Sequence, residues 1–472
     1  MQDTIFREYD IRGKVGSEFD INQTYDLTRA IACYLKEQDP SIEAIAVAMD
    51  GRLSSPLIKD FMIQALRDGG LNVFFIGVCP SPVLYFSLYQ LPVQAGLMIT
   101  ASHNPKEYNG IKISLGTKTV WGQQIKEIGN YYRTKKFLPM VNKGWIKEYF
   151  LHDDYINWLF NHFPSLVAMP LSVVIDCGNA TGGTILPQLI KKMQWDAVQL
   201  LYPEVDGNYP NHEPDPTVAA NMAHVKMLLS ETTTQVGIGL DGDCDRVAAM
   251  TKSGFLIPGD QLLAVFAQDI LKKNVGSSIV MDIKASLGLI ELVQEWKAQP
   301  IMAPCGHAII KEYMEKHKAL IGGELSCHFF FNDRHFGYDD GIYAMMRLFE
   351  IITMSGQSLE ELISIFPKKY SSPEIRLECS EEKKPIIIEF LKKEFASKKD
   401  LGLLTLDGIR VTYPNGWANV RSSNTQSVLS MRFEADSLKN LDHIKNDFIE
   451  LLTSYFDKQV LMKTILHTEY SI

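Results

Sequence analysis

One pattern recurs along the chain: a short β-branched or apolar run enters a turn, then a segment whose apolar residues return at helical spacing. In the first stretch, Ala44-Ile-Ala-Val-Ala-Met49, a helical segment over residues 55–67, Leu71-Asn-Val-Phe-Phe-Ile76 and Gly96-Leu-Met-Ile-Thr100 alternate as βαβ units do. A second set starts at Leu171-Ser-Val-Val-Ile-Asp176. It continues through a helix carrying Leu186, Leu189, Ile190 and Met193 at i, i+3, i+4 and i+7, and ends on Val236-Gly-Ile-Gly-Leu240. A third set opens on a helix capped by Asp260 and bearing Leu263, Phe266 and Ile270, then runs through Ile279-Val-Met-Asp-Ile283 and Ala319-Leu-Ile-Gly322. The helix that follows presents Ile342, Met345, Met346 and Phe349. This methionine and aromatic stripe reads as core packing, because Met fills irregular gaps between helix and sheet. Beyond the breakers Pro367 and Pro373 the texture changes. A helix over residues 386–395 precedes strand-like Ile409-Arg-Val-Thr-Tyr413 and Val428-Leu-Ser-Met-Arg-Phe433.

The expected fold class is therefore α/β: three similar mixed α/β sheet domains over residues 1–150, 151–254 and 255–367, then a smaller α+β domain over 368–472. A length of 472 residues agrees with several domains at about 150 residues each. With 46% hydrophobic and 22% charged residues and no long apolar run, no membrane role is expected. The N-terminal Met1-Gln-Asp-Thr-Ile-Phe-Arg-Glu-Tyr-Asp10 does not read as a secretory signal. Seven cysteines, odd in number and without a C-x-x-C pair, argue against a disulfide framework and a zinc site, so the reducing cytoplasm is the expected compartment. A net charge of -9 offers no general attraction to nucleic acid. An anionic ligand must be met by local positive groups.

Ligands of open α/β sheets bind beyond the carboxyl ends of the strands, and the chemically loaded segments fall at such places. Thr100-Ala-Ser-His-Asn-Pro105 follows a predicted strand and makes Ser102 a candidate nucleophile, although an ordinary Asn-Pro turn would look the same. The flanks are not G-x-S-x-G, and the adjacent His103 is poorly placed to act as a triad base, which disfavours a serine hydrolase. Leu240-Asp-Gly-Asp-Cys-Asp-Arg246 offers three carboxylates at i, i+2 and i+4. Asp241, Asp243 and Asp245 suit Mg²⁺, because like charges packed so closely repel unless a cation compensates; the alternative is a solvated acidic turn. An EF-hand is excluded by Arg246 at the sixth position and Lys252 at the twelfth. Gly322-Gly-Glu-Leu-Ser-Cys-His328 presents Glu324, Ser326 and His328, a set suited to sugar hydroxyls and equally readable as a buried Glu-His pair. Arg421-Ser-Ser-Asn-Thr425 combines a fork-shaped cation with hydroxyl and amide donors, as a phosphate dianion requires.

In this order, one per predicted domain, the four motifs closely resemble those of the α-D-phosphohexomutase family, and Leu325 makes the third most similar to the bacterial phosphomannomutase/phosphoglucomutase branch. Glu8-Tyr-Asp-Ile-Arg-Gly13, Tyr108-Asn-Gly-Ile-Lys112, Val205-Asp-Gly-Asn-Tyr-Pro210, Pro304-Cys-Gly-His307 and Phe336-Gly-Tyr-Asp-Asp-Gly341 extend the likeness over nearly the whole chain. The resemblance implies four domains around a central cleft and an isomerase that moves a phosphoryl group between C1 and C6 of mannose and glucose phosphates. It implies Ser102 as the phosphorylated serine, holding Mg²⁺ together with Asp241, Asp243 and Asp245, and a hexose 1,6-bisphosphate as intermediate and activator. His103, Lys112, Arg246, His307 and His328 are the implied catalytic set. Tyr9, Arg12, Lys284, His307, Glu324, Ser326 and His328 match sugar and phosphate contacts, and Arg421, Ser423, Asn424 and Thr425 match the clamp on the non-reacting phosphate. The implied partners are small-molecule hexose phosphates, with neither nucleic acid nor membrane, and a monomer is expected with a dimer as the alternative. Two departures stand out: Cys244 and Cys327 occupy positions where relatives have glycine, and both crowd loops that call for glycine-like backbone angles. The rival readings are a phosphoglucosamine mutase, disfavoured by Leu325, and a non-catalytic sugar-phosphate sensor, disfavoured by the intact Ser102, aspartate and arginine set.

Overall fold

The computed structural model describes residues 1–423 and 427–466. The chain forms two compact units, Met1–Leu262 with Ser326–Leu362, and Leu263–Leu325 with Ile363–Ile472.

In the first unit, Ala95–Ile99, Ala44–Met49, Asn72–Val78 and Ile146–Glu148 lie side by side in parallel. Tyr108–Leu115 runs antiparallel to Ala95–Ile99, and Ile11–Lys14 antiparallel to Tyr108–Leu115; Lys118–Thr119 completes seven strands. The apolar run of residues 44–48 is buried throughout, as expected of a parallel strand covered on both faces. Helices Thr24–Gln38, Ser55–Asp68 and Gln123–Arg133 pack together over this sheet, burying Leu27, Ile31, Ile58, Met62 and Ile125. Helix Ser81–Gln90 escapes the 3.6-residue pattern because it is buried on nearly every side, from Ser81 through Ser87, and so shows no polar face to read. A second sheet orders Val247–Met250, Val236–Leu240, Val173–Asp176 and Val198–Leu201, the last three parallel and the first antiparallel.

In the second unit, Gln299–Ala303, Ser278–Asp282 and Ile321–Gly323 run parallel in that spatial order. Its last part is an antiparallel sheet of Tyr370–Ser371, Val428–Ala435, Gly416–Ser422, Ile409–Tyr413 and Gly402–Leu404, with Ile375–Glu378 also paired to Val428–Ala435. Helices Lys383–Ala396 and Leu438–Leu452 cover it, burying Ile387, Leu391, Leu441 and Phe448.

Several elements differ from expectation in instructive ways. Asp260 does not cap its helix; Gly259–Leu271 has already begun, and Asp260 lies in the first turn with its carboxylate accepting the Gln261 N–H at 3.0 Å. The strand expected from Leu171 is Val173–Asp176, and that expected from Ala319 is Ile321–Gly323. Asn109-Gly110, a pair that ordinarily marks a hairpin turn, lies inside strand Tyr108–Leu115. A Cβ on Gly110 would meet the Ile11 carbonyl at 2.3 Å, so glycine serves close strand approach here, not a turn. Between the breakers Pro367 and Pro373 the chain forms strand Tyr370–Ser371. Beyond Asp457, Leu461 and Ile465 pack into the last core. All seven cysteines are buried free thiols. Among the described residues no helix is long and apolar enough to cross a membrane.

Candidate functional site

Strand Ala95–Ile99 delivers the chain to Ser102, which adopts a left-handed backbone at φ +49° and is 3% exposed. For a residue with a Cβ this conformation costs about 1–2 kcal/mol and must be held by its surroundings. The Thr100 hydroxyl accepts the Ser102 N–H at 2.9 Å, and Asn104 N–H donates to the Ala101 carbonyl at 3.0 Å. So placed, Ser102 Oγ donates to Asp241 Oδ2 at 2.6 Å and stands 3.1 Å from His103 Nδ1. Burial, followed by the positive guanidiniums of Arg246 and Arg12, pushes the His103 pKa well below the usual histidine range, so a neutral imidazole faces the hydroxyl. Arg12, on strand Ile11–Lys14, donates to Asn104 Oδ1 at 2.8 Å and pairs with Asp10; Tyr9 lies half-buried just before that strand.

The second loop begins where strand Val236–Leu240 ends. A Cβ on Gly242 would stand 2.4 Å from the Ser102 carbonyl, so only glycine lets this loop touch the serine loop so closely. Asp241, Asp243 and Asp245 are essentially fully buried, with carboxylate oxygens within 4.8 Å of one another. The cation that their repulsion demands is partly supplied within the chain: Lys112, on strand Tyr108–Leu115, donates to Asp243 Oδ2 at 2.6 Å and also to Asp245. Burial alone would lower the Lys112 pKa, but Asp243 and Asp245 outweigh it and raise it well above the lysine norm. Burial and the neighbouring Asp245 and Asp243 carboxylates push Asp241 well up. Asp245 is also driven upward by burial, but Lys112 and His328 prevail and hold it well below the carboxylate range.

The Arg246 backbone N–H donates to Asp241 Oδ1 at 3.1 Å, and its side-chain Nε reaches His328 Nε2 at 3.3 Å. His328 Nε2 lies 3.2 Å from Asp245 Oδ1 and 4.0 Å from Asp339 Oδ2, while Nδ1 faces Ser326 Oγ at 3.2 Å. Ser102, His103, Lys112, Arg246, Ser326, His328 and the three aspartates, drawn from distant segments, thus lie in the same unit. Cys244, between Asp243 and Asp245, and Cys327, between Ser326 and His328, stand at φ +55° and +68°, the glycine-like angles that the motif implied.

The second unit holds the remaining candidates. Lys284 follows strand Ser278–Asp282, lies 3.6 Å from Glu374 Oε1, and is 6% exposed. Glu324, just after strand Ile321–Gly323, accepts the Gly306 N–H at 2.7 Å, tying its loop to the turn that starts helix His307–His317. Arg421 Nε donates to Asp407 Oδ2 at 2.7 Å, and the same oxygen accepts the Cys305 N–H at 3.2 Å. The Ser423 carbonyl accepts Lys384 Nζ at 2.8 Å. Asn424 and Thr425 lie outside the described residues.

Comparison with known proteins matches four phosphoglucomutase/phosphomannomutase families in register along the chain. These are alpha/beta/alpha domain I at residues 3–138, domain II at 153–254, domain III at 258–370, and the C-terminal domain at 374–451. The phosphomannomutase/phosphoglucomutase of Pseudomonas syringae pv. tomato is 40% identical over 95% of both chains. The chain belongs to the phosphoglucomutase/phosphomannomutase family. The phosphoglucomutase of Neisseria gonorrhoeae is 36% identical, covering 95% of this chain and 97% of its own. A solved phosphoglucomutase/phosphomannomutase family protein from Burkholderia thailandensis superposes with a TM-score of 0.87 at 33% identity, over 96% of this chain and 98% of that one. The four-domain α/β architecture with mixed sheets is that of the family.

In this phosphoglucomutase/phosphomannomutase-family chain the aspartate cluster fits a divalent cation. Asp243 Oδ2 is engaged by Lys112 and by Ser81 Oγ at 2.5 Å, whereas its buried Oδ1 accepts no hydrogen bond among the described residues. An orphaned hard oxygen among three buried carboxylates has the chemistry that a divalent cation's ligand requires. Sequence reasoning passed over Asp50 and Arg52, Asp339, Asp407 and Glu374, all packed against the candidate residues. Asp50 and Arg52 had a usable signal, since they directly follow strand Ala44–Met49. Asp339 lay within the Phe336-Gly-Tyr-Asp-Asp-Gly341 motif without a role, whereas Asp407 and Glu374 carry no signal, because nothing local distinguishes a carboxylate that will face a distant arginine or lysine.

Proposed function

We propose that this chain catalyses the reversible transfer of a phosphoryl group between C1 and C6 of mannose and glucose phosphates. Ser102 is the phosphate carrier, and the enzyme is phosphorylated at rest. The supporting observation is Ser102 Oγ seated 2.6 Å from Asp241 in a buried three-carboxylate cluster whose Asp243 Oδ1 remains available. Phosphoserine donates to the free hydroxyl of a hexose 1- or 6-phosphate, giving a 1,6-bisphosphate that turns end for end and returns its other phosphate to Ser102.

Asp241, Asp243 and Asp245, with Ser102, would hold Mg²⁺, which supplies positive charge against the transferring phosphate when bound. Arg246 and Arg12 add fixed charge, and alignment does most of the remaining work. The Ser102 hydroxyl proton is directed at Asp241 Oδ2, 2.6 Å away, and the neutral His103 imidazole, 3.1 Å from Ser102 Oγ, is assigned to orienting that hydroxyl. Lys112, tied as an ammonium between Asp243 and Asp245, serves charge compensation better than proton abstraction, leaving His328 and His307 as the proposed acceptors from the sugar hydroxyl. Tyr9, Lys284, Glu324 and Ser326 are assigned to the sugar phosphate, and Arg421 with Ser423, Asn424 and Thr425 to the phosphate that does not react. The functional segments are 1–150, 151–254, 255–367 and 368–472, and the working compartment is the cytoplasm.

Intact mass after treatment with glucose 1,6-bisphosphate tests the carrier: one added phosphate is expected, absent from Ser102→Ala. Mg²⁺-dependent turnover of mannose 1-phosphate and glucose 1-phosphate, faster than of glucosamine 1-phosphate, separates this activity from that of a phosphoglucosamine mutase. An unphosphorylated wild type, or a Ser102→Ala variant keeping more than a few per cent of activity, would refute the assignment.

A further inference from the structure

We propose that Arg52 is the positioning residue of the phosphoserine loop, fixing the left-handed backbone that presents Ser102 Oγ to the aspartate cluster; this inference rests on the carrier role assigned above. Arg52 is 1% exposed, yet its guanidinium touches no reacting atom. One terminal nitrogen donates to the Ser102 carbonyl at 2.7 Å and the Asn104 carbonyl at 2.6 Å. The other donates to the carbonyls of Pro105 at 2.7 Å and Tyr108 at 3.0 Å, and Nε donates to Asp50 Oδ2 at 3.1 Å. An arginine side chain has five N–H groups, and here each has its acceptor. The serine loop is curled around a single planar fork, with four of its carbonyls converging from the rim.

The surroundings hold the fork in turn. Asp50 Oδ1 accepts the Arg52 backbone N–H at 3.0 Å and a hydrogen bond from Ser55 Oγ at 2.6 Å, so the carboxylate paired with the guanidinium is itself held in place. Asn109 Nδ2 donates to Ser54 Oγ at 2.8 Å and Ser55 Oγ at 3.0 Å, pinning the far end of the same loop. The Tyr209 ring lies 5.3 Å from the guanidinium carbon, and a Cβ on Gly207 would stand 2.5 Å from the Gly51 carbonyl, so the loop around residues 205–209 closes over the brace. A structural salt bridge alone would not require four backbone carbonyls from one loop. Their convergence specifies the direction of each peptide plane around Ser102, and so the direction of Oγ. Lysine, with three donors on a point charge, cannot reproduce a planar five-donor pattern.

The test compares wild type, Arg52→Lys and Arg52→Ala, measuring thermal stability, kcat and KM for glucose 1-phosphate, and phosphate on Ser102 after glucose 1,6-bisphosphate treatment. Misplacing a reacting oxygen by an ångström costs on the order of a hundredfold in rate. Arg52→Lys is therefore expected to fold and keep KM within about threefold, while kcat falls on the order of a hundredfold and phosphoserine occupancy drops. Low-millimolar guanidinium chloride is expected to raise kcat of Arg52→Ala at least several-fold without affecting wild type. If Arg52→Ala does not fold, the Arg52→Lys comparison decides. Arg52→Lys with wild-type kcat, a loss confined to KM, or a folded Arg52→Ala that guanidinium does not restore would overturn the proposal. Those outcomes require a wild type that is phosphorylated on Ser102 and active; failure of that control would instead sink the carrier assignment.

Discussion

Replacing Lys112 with methionine removes one charge from the buried cluster it forms with Asp243 and Asp245 while keeping nearly the same volume. Lys112 is 3% exposed and its ammonium is bonded to Asp243 at 2.6 Å and to Asp245, so its loss strands buried carboxylates without their internal cation. Removing one partner of a buried ion pair costs about 3–5 kcal/mol, because the survivor keeps its desolvation penalty. The two bonded partners place this site at the upper end. At about 2–4 °C per kcal/mol for a domain of 150–250 residues, the first unfolding transition should drop by roughly 10–20 °C in chelator. Saturating Mg²⁺ should recover more than half of that deficit, because a divalent cation offsets the same carboxylates. The deficit should also grow from pH 5.5 to pH 8. Without Lys112 the carboxylate pKa values rise, the folded state binds more protons than the unfolded chain, and stability falls as pH increases. Differential scanning calorimetry of both proteins with EDTA and with Mg²⁺ supplies the four numbers. Equal melting of variant and wild type in EDTA, or an identical deficit in both conditions, would refute the reasoning.

At Cys244 and Cys327, each at positive φ, glycine should give a more stable protein than alanine by about 1 kcal/mol, the reverse of the order in helices; urea midpoints ranking alanine above glycine would show that neither loop is strained. The Lys284 charge, reinforced by a hydrogen bond from Ser430, holds the Glu374 carboxyl at about 2 despite burial. Its pKa is thus depressed on folding, so its contribution is present above about pH 4.3 and lost as pH falls toward 2, and Glu374→Gln should flatten the acid limb of a stability-pH curve; wild-type and variant curves that stay parallel below pH 5 would contradict this.

The local physics of the chain carried a large part of the outcome. Residues 44–49, 236–240 and 409–413 form strands at the positions read from their apolar runs, and Leu186–Met193 is the helix its i, i+3, i+4, i+7 spacing requires. Ser102 and the aspartate triad were legible because their hydroxyl and carboxylates fall directly after strand ends. The positive φ at Cys244 and Cys327 could be anticipated only from resemblance to relatives with glycine there, since nothing in cysteine itself favours that conformation. Helix Ser81–Gln90 hid its period because burial on nearly every side erases the polar stripe, and the need for glycine at position 110 appears only with the neighbouring Ile11 carbonyl that its missing Cβ admits. Long-range charge assignments belonged to tertiary structure alone. Lys112 meets Asp243 across 131 positions, and Arg52 meets the serine loop across about 50. A sequence declares which side chains can bond, but only the fold's exclusion of water decides which donor each buried acceptor must accept.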